Sequence, residues 1–220
     1  MNTVVLSGGQ DSATTLAVAA ATGPIAACVH FTYGQRHAIE HDSAQWWAAH
    51  YNAPLITLDL PALQQAAPSA LTHAGDIAAN HPNLRHLPAS FVPGRNIAFL
   101  TLAAAVARNL NAPHLWTGVC QTDYSGYPDC RLDTIQSAQA TLRLALDWPE
   151  LTIHTPLMHL TKAATFALAY QHGVLDHVIE RTHTCYEGDH STRHPWGYGC
   201  GACPACVIRA RGWGEYTASA

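Results

Sequence analysis

The chain has 220 residues, a formal net charge of −4, 48% hydrophobic and 12% charged residues. This composition excludes a disordered polyelectrolyte, and the mild acidity, with ten Arg and the single Lys162, argues against a protein that grips a nucleic-acid backbone. Polar residues or Pro interrupt every apolar run before the roughly 18–20 residues of a membrane span, so neither nucleic acid nor membrane is an expected partner.

Taken in chain order, Thr3 to Leu6 reads as a buried strand, Ser12 to Ala21 as a helix and Ile25 to Phe31 as a second strand. A helix from about Ala38 to His50, a strand at Leu55 to Leu58, a helix from about Ile97 to Leu110 and a strand at His114 to Val119 follow. Strands alternating with helices predict a doubly wound parallel α/β sheet with helices on both faces. Its ligands bind beyond the carboxyl ends of the strands. The segment Pro61 to Pro93 is too long for a passive connector and reads either as a lid or as a variable surface loop. The N-terminus lacks a basic region ahead of its apolar run, unlike a secretory signal, so a cytoplasmic location is expected.

Leu6-Ser7-Gly8-Gly9-Gln10-Asp11-Ser12 lies between the first strand and the first helix and is continued by Ala13 and Thr14. Two glycines let the chain turn so that amide N–H groups converge at a helix N-terminus, where an anion is favoured. The loop is expected to cradle phosphate, with Gly9 the position where a side chain is least compatible with the turn. It lacks the Gly-Lys-Ser/Thr of a Walker loop and the third Gly of a dinucleotide fingerprint. A purely structural turn is the alternative. Arg95, just before a helix, is placed to meet an anion. The stretch Asp123 to Arg131 packs two Tyr, two Asp and an Arg into one loop, a set suited to a purine-like heterocycle.

Cys185, Cys200, Cys203 and Cys206 crowd the last fifth of the chain, whereas Cys28, Cys120 and Cys130 are scattered. In a reducing compartment such clustering points to a metal. Four thiolates with no open position favour a closed structural zinc. An iron–sulfur cluster, a redox pair or a coincidence of core cysteines are the competing readings, and His183, His190 and His194 are possible substitute ligands.

Together these motifs resemble the 7-cyano-7-deazaguanine synthases of queuosine biosynthesis, members of the PP-loop ATP pyrophosphatases, over essentially the whole chain. The resemblance is carried by Ser7 to Ser12, Tyr33 to His37, Val92 to Asn96, Asp123 to Arg131, His154 to Leu157, Thr161-Lys162 and the four cysteines. It implies a PP-loop (HUP-type) nucleotide-binding domain over residues 1–180 and a zinc-binding segment over 181–220. It also implies an ATP-dependent carbon–nitrogen ligase that converts 7-carboxy-7-deazaguanine and ammonia to 7-cyano-7-deazaguanine through adenylated intermediates, with Mg²⁺ on the phosphates and a homodimeric assembly.

By this resemblance Leu6 to Thr14 bind ATP, and Asp11, Ser12, Arg95 and Lys162 are the catalytic candidates. Tyr33, Gln35, Arg95, Asn96, Asp123, Tyr124, Tyr127, Asp129 and Arg131 are the substrate-binding candidates. Asp123 is the expected base contact, and Asp129 is either a second one or structural. Arg131 either pairs with the substrate carboxylate or braces the loop. Two departures from the family pattern stand out: Thr32 replaces a common Asp, and fourteen residues separate Cys185 from Cys200, more than is usual. Rival readings are a PP-loop enzyme adenylating a tRNA base or a protein target, and a non-catalytic zinc-ribbon protein. The joint presence of Ser7, Asp11, Ser12, Arg95 and Lys162 disfavours the latter.

Overall fold

The computed structural model describes residues 1–34, 39–67, 69–72, 76, 79–122 and 126–219. Strands β1 (Asn2–Val5), β2 (Ile25–Thr32), β3 (Leu55–Asp59), β4 (His114–Trp116) and β5 (Thr152–His154) form one parallel sheet in the order β3-β2-β1-β4-β5. The sheet is covered on both faces, which explains why β1 and β2 read as near-continuous apolar runs. On one face α1 (Gln10–Thr22) and α2 (Ile39–His50) join a core containing Val4, Leu6, Leu16 and Trp47. On the other, α4 (Arg95–Asn109) and α5 (Leu132–Ala145) bury Leu100, Ile135 and Leu142 against Val29 and Leu115. Each such side chain stabilises the fold by about 1.5–3 kcal/mol relative to exposure.

Asn2 joins the layers at the start of β1. Its amide donates to Ala19 O at 2.9 Å and Gly23 O at 3.1 Å, and its oxygen accepts from Trp116 Nε1 at 3.0 Å. Because β1 pairs with β2 on one side and β4 on the other, the strand order reverses beside its carboxyl end. This is the topological switch point at which such sheets bind ligands.

The expected elements are present with shifted ends. Strand β4 stops at Trp116 instead of Val119 because the chain bends at Gly118 to touch α1: a Cβ on Gly118 would lie 2.9 Å from the Asp11 carbonyl carbon. Helix α4 begins at Arg95, two residues earlier than Ile97. Gly94 enters it with φ +76°, and the Asp129 carboxylate accepts the Asn96 N–H at 3.0 Å.

The described residues of the segment from Pro61 to Pro93 carry defined structure. It opens with the short helix α3 (Pro61–Ala66), Asn80 bridges Pro88, and Leu87 and Phe91 pack on Tyr127.

The remainder of the chain contributes α6 (Lys162–Gln171), α7 (Leu175–Arg181), the hairpin β6 (Arg193–His194) and β7 (Gly197–Tyr198), and α8 (Pro204–Ser219). Phe166 and Val178 share the first core with Cys185, Trp196, Cys203 and Cys206, so the cysteine-bearing segment is built into the main core. No helix among the described residues is long and apolar enough to cross a membrane.

Candidate active site and thiolate cluster

Leu6 ends the first strand run, and the chain turns through Ser7, Gly8 and Gly9 into α1. Gly8, with φ +88°, carries the left-handed conformation. A Cβ there would lie 2.3 Å from the carbonyl oxygen of Glu40 in α2. Gly9 has φ −81° and room for a Cβ, so the conformational demand expected at Gly9 falls on Gly8 instead. The Gly8 carbonyl is fixed from behind by the Ser43 hydroxyl at 2.7 Å and the His183 N–H at 3.1 Å.

Ser12 Oγ lies 3.2 Å from both the Ser7 and Gly8 amide nitrogens, 3.0 Å from Ser7 Oγ and 3.1 Å from Gly9 O. A hydroxyl has one proton and two lone pairs. Four neighbours therefore oversubscribe it, and the two amides are positioned to exchange this acceptor for an anionic oxygen.

The loop opens onto a cavity of about 290 Å³. Leu6, Ser7, Gly9, Gln10, Asp11 and Ser12 line one wall, while Gly8, Ala13 and Thr14 are buried behind it. Both polar atoms of the Gln10 amide are buried with no hydrogen-bond partner among the described residues. Buried polar groups of that kind cost about 1–3 kcal/mol unless something bonds them.

The opposite wall brings Tyr33, Arg95, Asn96 and Tyr127 together, as the sequence suggested. The Arg95 guanidinium donates to Tyr33 Oη at 3.3 Å, and its central carbon lies 5.8 Å from the Tyr33 ring centre and 5.9 Å from that of Tyr127. Burial opposes its charge, but Tyr33, Tyr127, Asp129 and Cys130 more than offset that and hold its pKa above the ordinary value. Asp129 and Arg131 lie outside the cavity lining. Asp129 is buried against the start of α4, whereas Arg131 is exposed at the head of α5. Gln35, Asp123 and Tyr124 lie outside the described residues.

Lys162 lies outside the cavity lining and borders it through Asp11. Its Nζ lies 2.9 and 2.7 Å from the two oxygens of Asp11. Asp11 occupies the first turn of α1, where the helix dipole favours a carboxylate. Thr32, the departure from the family pattern, donates its hydroxyl to Asp59 at 2.7 Å.

Two groups escaped the sequence reading. Glu40, in the first turn of α2, lines the cavity beside Arg95, and burial pushes its carboxyl up to about 7 against the pull of that arginine. Arg209 on α8 is fully buried, donating to Trp196 O, Thr184 Oγ1 and Val178 O at 2.9 Å each. Burial lowers its pKa to about 10, opposed by the Asp11 charge. Both depend on contacts remote in sequence, so no local pattern announces them. Truncation of Arg209 to Ala strands the Trp196 carbonyl, whereas the Val178 carbonyl keeps the Thr182 hydroxyl. Denaturant unfolding is expected to show a loss of about 1–3 kcal/mol.

The long connection after Cys185 is folded rather than loose. It forms the β6–β7 hairpin, whose Trp196 is buried and stacks on His194, with Arg209 bonded to its carbonyl. This brings the ligand atoms of Cys185, Cys200, Cys203 and Cys206 within 4.8 Å of one another. Tetrahedral zinc, with bonds of about 2.3 Å, spaces its sulfurs about 3.8 Å apart.

Amides of Cys200, Ala202 and Cys203 point at the sulfurs over 3.3–3.4 Å. The contact with Cys206 lowers the pKa of the Cys203 thiol and raises that of Cys206. The donor set fits a structural metal, with all four positions filled by sulfur. His183 and His194 bond backbone carbonyls, and His190 stacks on Tyr198.

Comparison with known proteins shows the family of the chain. Residues 2–217 match the profile of the family described as "Queuosine biosynthesis protein QueC". The chain is 48% identical over 229 residues to a 7-cyano-7-deazaguanine synthase of Bradyrhizobium sp., covering 98% of this chain and 94% of that protein. It is 47% identical over 224 residues to one from Alkalilimnicola ehrlichii, covering 96% and 92%. Among solved structures, a 4-thiouridine synthetase in complex with RNA and bound ATP aligns with TM-score 0.49 and 15% identity, over 98% of this chain and 50% of that one. The chain belongs to the QueC family of queuosine biosynthesis proteins.

Proposed function

We propose that this protein converts 7-carboxy-7-deazaguanine and ammonia to 7-cyano-7-deazaguanine at the expense of ATP. The observation that carries the reading is the convergence of the Ser7–Ser12 loop with Arg95, Tyr33 and Tyr127 on one cavity at the switch point of the sheet. A carboxylate resists attack by ammonia because oxide is a poor leaving group. Transfer of AMP to it, with release of pyrophosphate, makes a mixed anhydride that ammonia opens to the amide. A second adenylation on the amide oxygen lets AMP leave as the nitrile forms.

In this reading the Ser7, Gly8 and Ser12 donors hold the β- and γ-phosphates, and Lys162, steadied by Asp11, neutralises charge on the departing pyrophosphate. Mg²⁺ accompanies the triphosphate. Arg95, kept charged between Tyr33 and Tyr127, holds the substrate carboxylate. Tyr33, Asn96, Tyr127 and the Asp123–Arg131 loop enclose the base, with Asp129 bracing that loop against α4. The four cysteines hold zinc, residues 1–180 carry the chemistry and 181–220 the metal, and the protein works as a cytoplasmic homodimer.

Replacing Lys162 with Ala is expected to slow AMP formation about 10²–10³-fold, the scale of losing one such electrostatic group, with the circular dichroism spectrum unchanged. An RNA-free incubation with the acid, ATP and ammonium tests the reading: AMP and nitrile support it. A requirement for RNA, or retention of full activity by the Lys162 variant, contradicts the assignment.

A further inference from the structure

We propose that Glu40 is the base that strips the nitrogen of its protons as the amide becomes a nitrile, because Glu40 lines the cavity shared by the Ser7–Ser12 loop and Arg95. The proposal rests on the functional reading above, which requires such a base. O-adenylation of the amide forms the oxygen–phosphorus bond as the bond from the α-phosphorus to pyrophosphate breaks. The nitrogen still carries two hydrogens. As they leave, their bonding electrons become the new carbon–nitrogen bonds, the carbon–oxygen bond breaks, and its oxygen departs on AMP. Both protons need an acceptor within reach of the nitrogen and pass from it to solvent.

Glu40 is well suited to this task. It sits in the first turn of α2, and its backbone carbonyl is pressed against Gly8 so closely that no side chain fits between them. The Glu40 main chain is therefore held against the same turn that is proposed to hold the phosphates. Among the described residues, none makes a hydrogen bond or ion pair with its carboxylate. The titratable groups lining the cavity around it are Asp11 on α1, His30 on β2 and Tyr33 just after it, Arg95 on α4, Cys120, Tyr127 and Cys130 between β4 and α5, and His183, Cys185 and Tyr186 after α7. Burial pushes the His30 imidazole down and the Tyr33 and Tyr186 phenols up, away from neutrality. The Glu40 carboxyl, near 7, is thus able both to take a proton and to release it at physiological pH. The carboxylate form is the active one, so the rate should rise with pH through this value.

The test uses 7-amido-7-deazaguanine, so that the ionisation of ammonia plays no part. Nitrile formation by wild type, Glu40→Gln and Glu40→Asp is followed by mass spectrometry against pH. Exchange of labelled pyrophosphate into ATP, with the carboxylate substrate, reports adenylation alone. Glu40→Gln is expected to lose about 10²–10⁴ in nitrile formation and its pH limb near 7, while exchange stays within a few-fold of wild type. Glu40→Asp retains the limb at a lower rate, and it alone decides the matter if the Gln variant does not fold. Retention of rate and pH limb by Glu40→Gln, or loss of exchange in step with nitrile formation in both variants, overturns the proposal. A wild-type protein that forms no nitrile from the amide overturns the functional reading itself.

Discussion

Gly8→Ala is expected to abolish nucleotide use, whereas Gly9→Ala leaves the fold intact. The two glycines are adjacent and chemically identical, but only Gly8 has positive φ, at +88°, and only there would a Cβ lie within 2.3 Å of a backbone oxygen, that of Glu40. The left-handed conformation alone costs a residue with a side chain about 1–3 kcal/mol. The clash adds to this, because a main-chain atom of α2 cannot yield as a flexible side chain would. Relief requires α2 to retreat, breaking the bond from Ser43 to the Gly8 carbonyl and splaying the amides of Ser7 and Gly8. AMP formation should fall by about a hundredfold or more, since each 1.4 kcal/mol is tenfold in rate. Thermal melting of the two variants beside wild type checks the contrast: the Gly8 variant melts lower and the Gly9 variant does not. Equal melting temperatures would show that the turn does not depend on Gly8.

Removing the metal should cost more than removing any catalytic group. Cys185, Cys203 and Cys206 are buried in one cluster with Val4, Leu6, Leu16 and Trp47, so loss of the four-sulfur centre loosens the core beneath the phosphate loop rather than a detachable appendage. Structural zinc supplies folding free energy directly. A loss of several kcal/mol in a chain of this size lowers the melting temperature by about 10 °C or more, at about 2–4 °C per kcal/mol. Chelation, or Cys203→Ser, is expected to produce that shift together with loss of activity, and zinc restores the chelated protein. Elemental analysis should give one zinc per chain. Iron with visible absorbance, or an unchanged melting curve after the metal is removed, would contradict this role.

The parts of the site visible in the sequence are those encoded locally. Ser7 to Ser12 announces itself because glycines, hydroxyls and an acidic residue fall together between an apolar strand and an Ala-rich helix, and the cysteine spacing fixes three of four sulfurs on one turn. The strand β4 was legible only in part, since its end is set by the contact of Gly118 with Asp11, far away in sequence. The same limit applies to function. Asp129 looks like a base-binding carboxylate from its neighbours in the chain, yet it accepts the Asn96 N–H and lies outside the cavity lining. Glu40 and Arg209 carry no local signature: one matters because α2 packs on Gly8, the other because α8 threads its guanidinium beneath Trp196. The left-handed conformation falls at Gly8 and not at Gly9, because two adjacent glycines are interchangeable in sequence until the α2 contact distinguishes them.

One cavity is expected to adenylate first an oxygen of the carboxylate and then the oxygen of the amide on the same carbon. A mass balance tests this directly: purified protein with 7-carboxy-7-deazaguanine, excess ATP and ammonium, with nitrile, AMP and pyrophosphate quantified together. Two AMP and two pyrophosphate are expected for every nitrile formed, with no RNA present. ADP and orthophosphate as the primary products, or a reaction that ends at the amide after a single AMP, would contradict it.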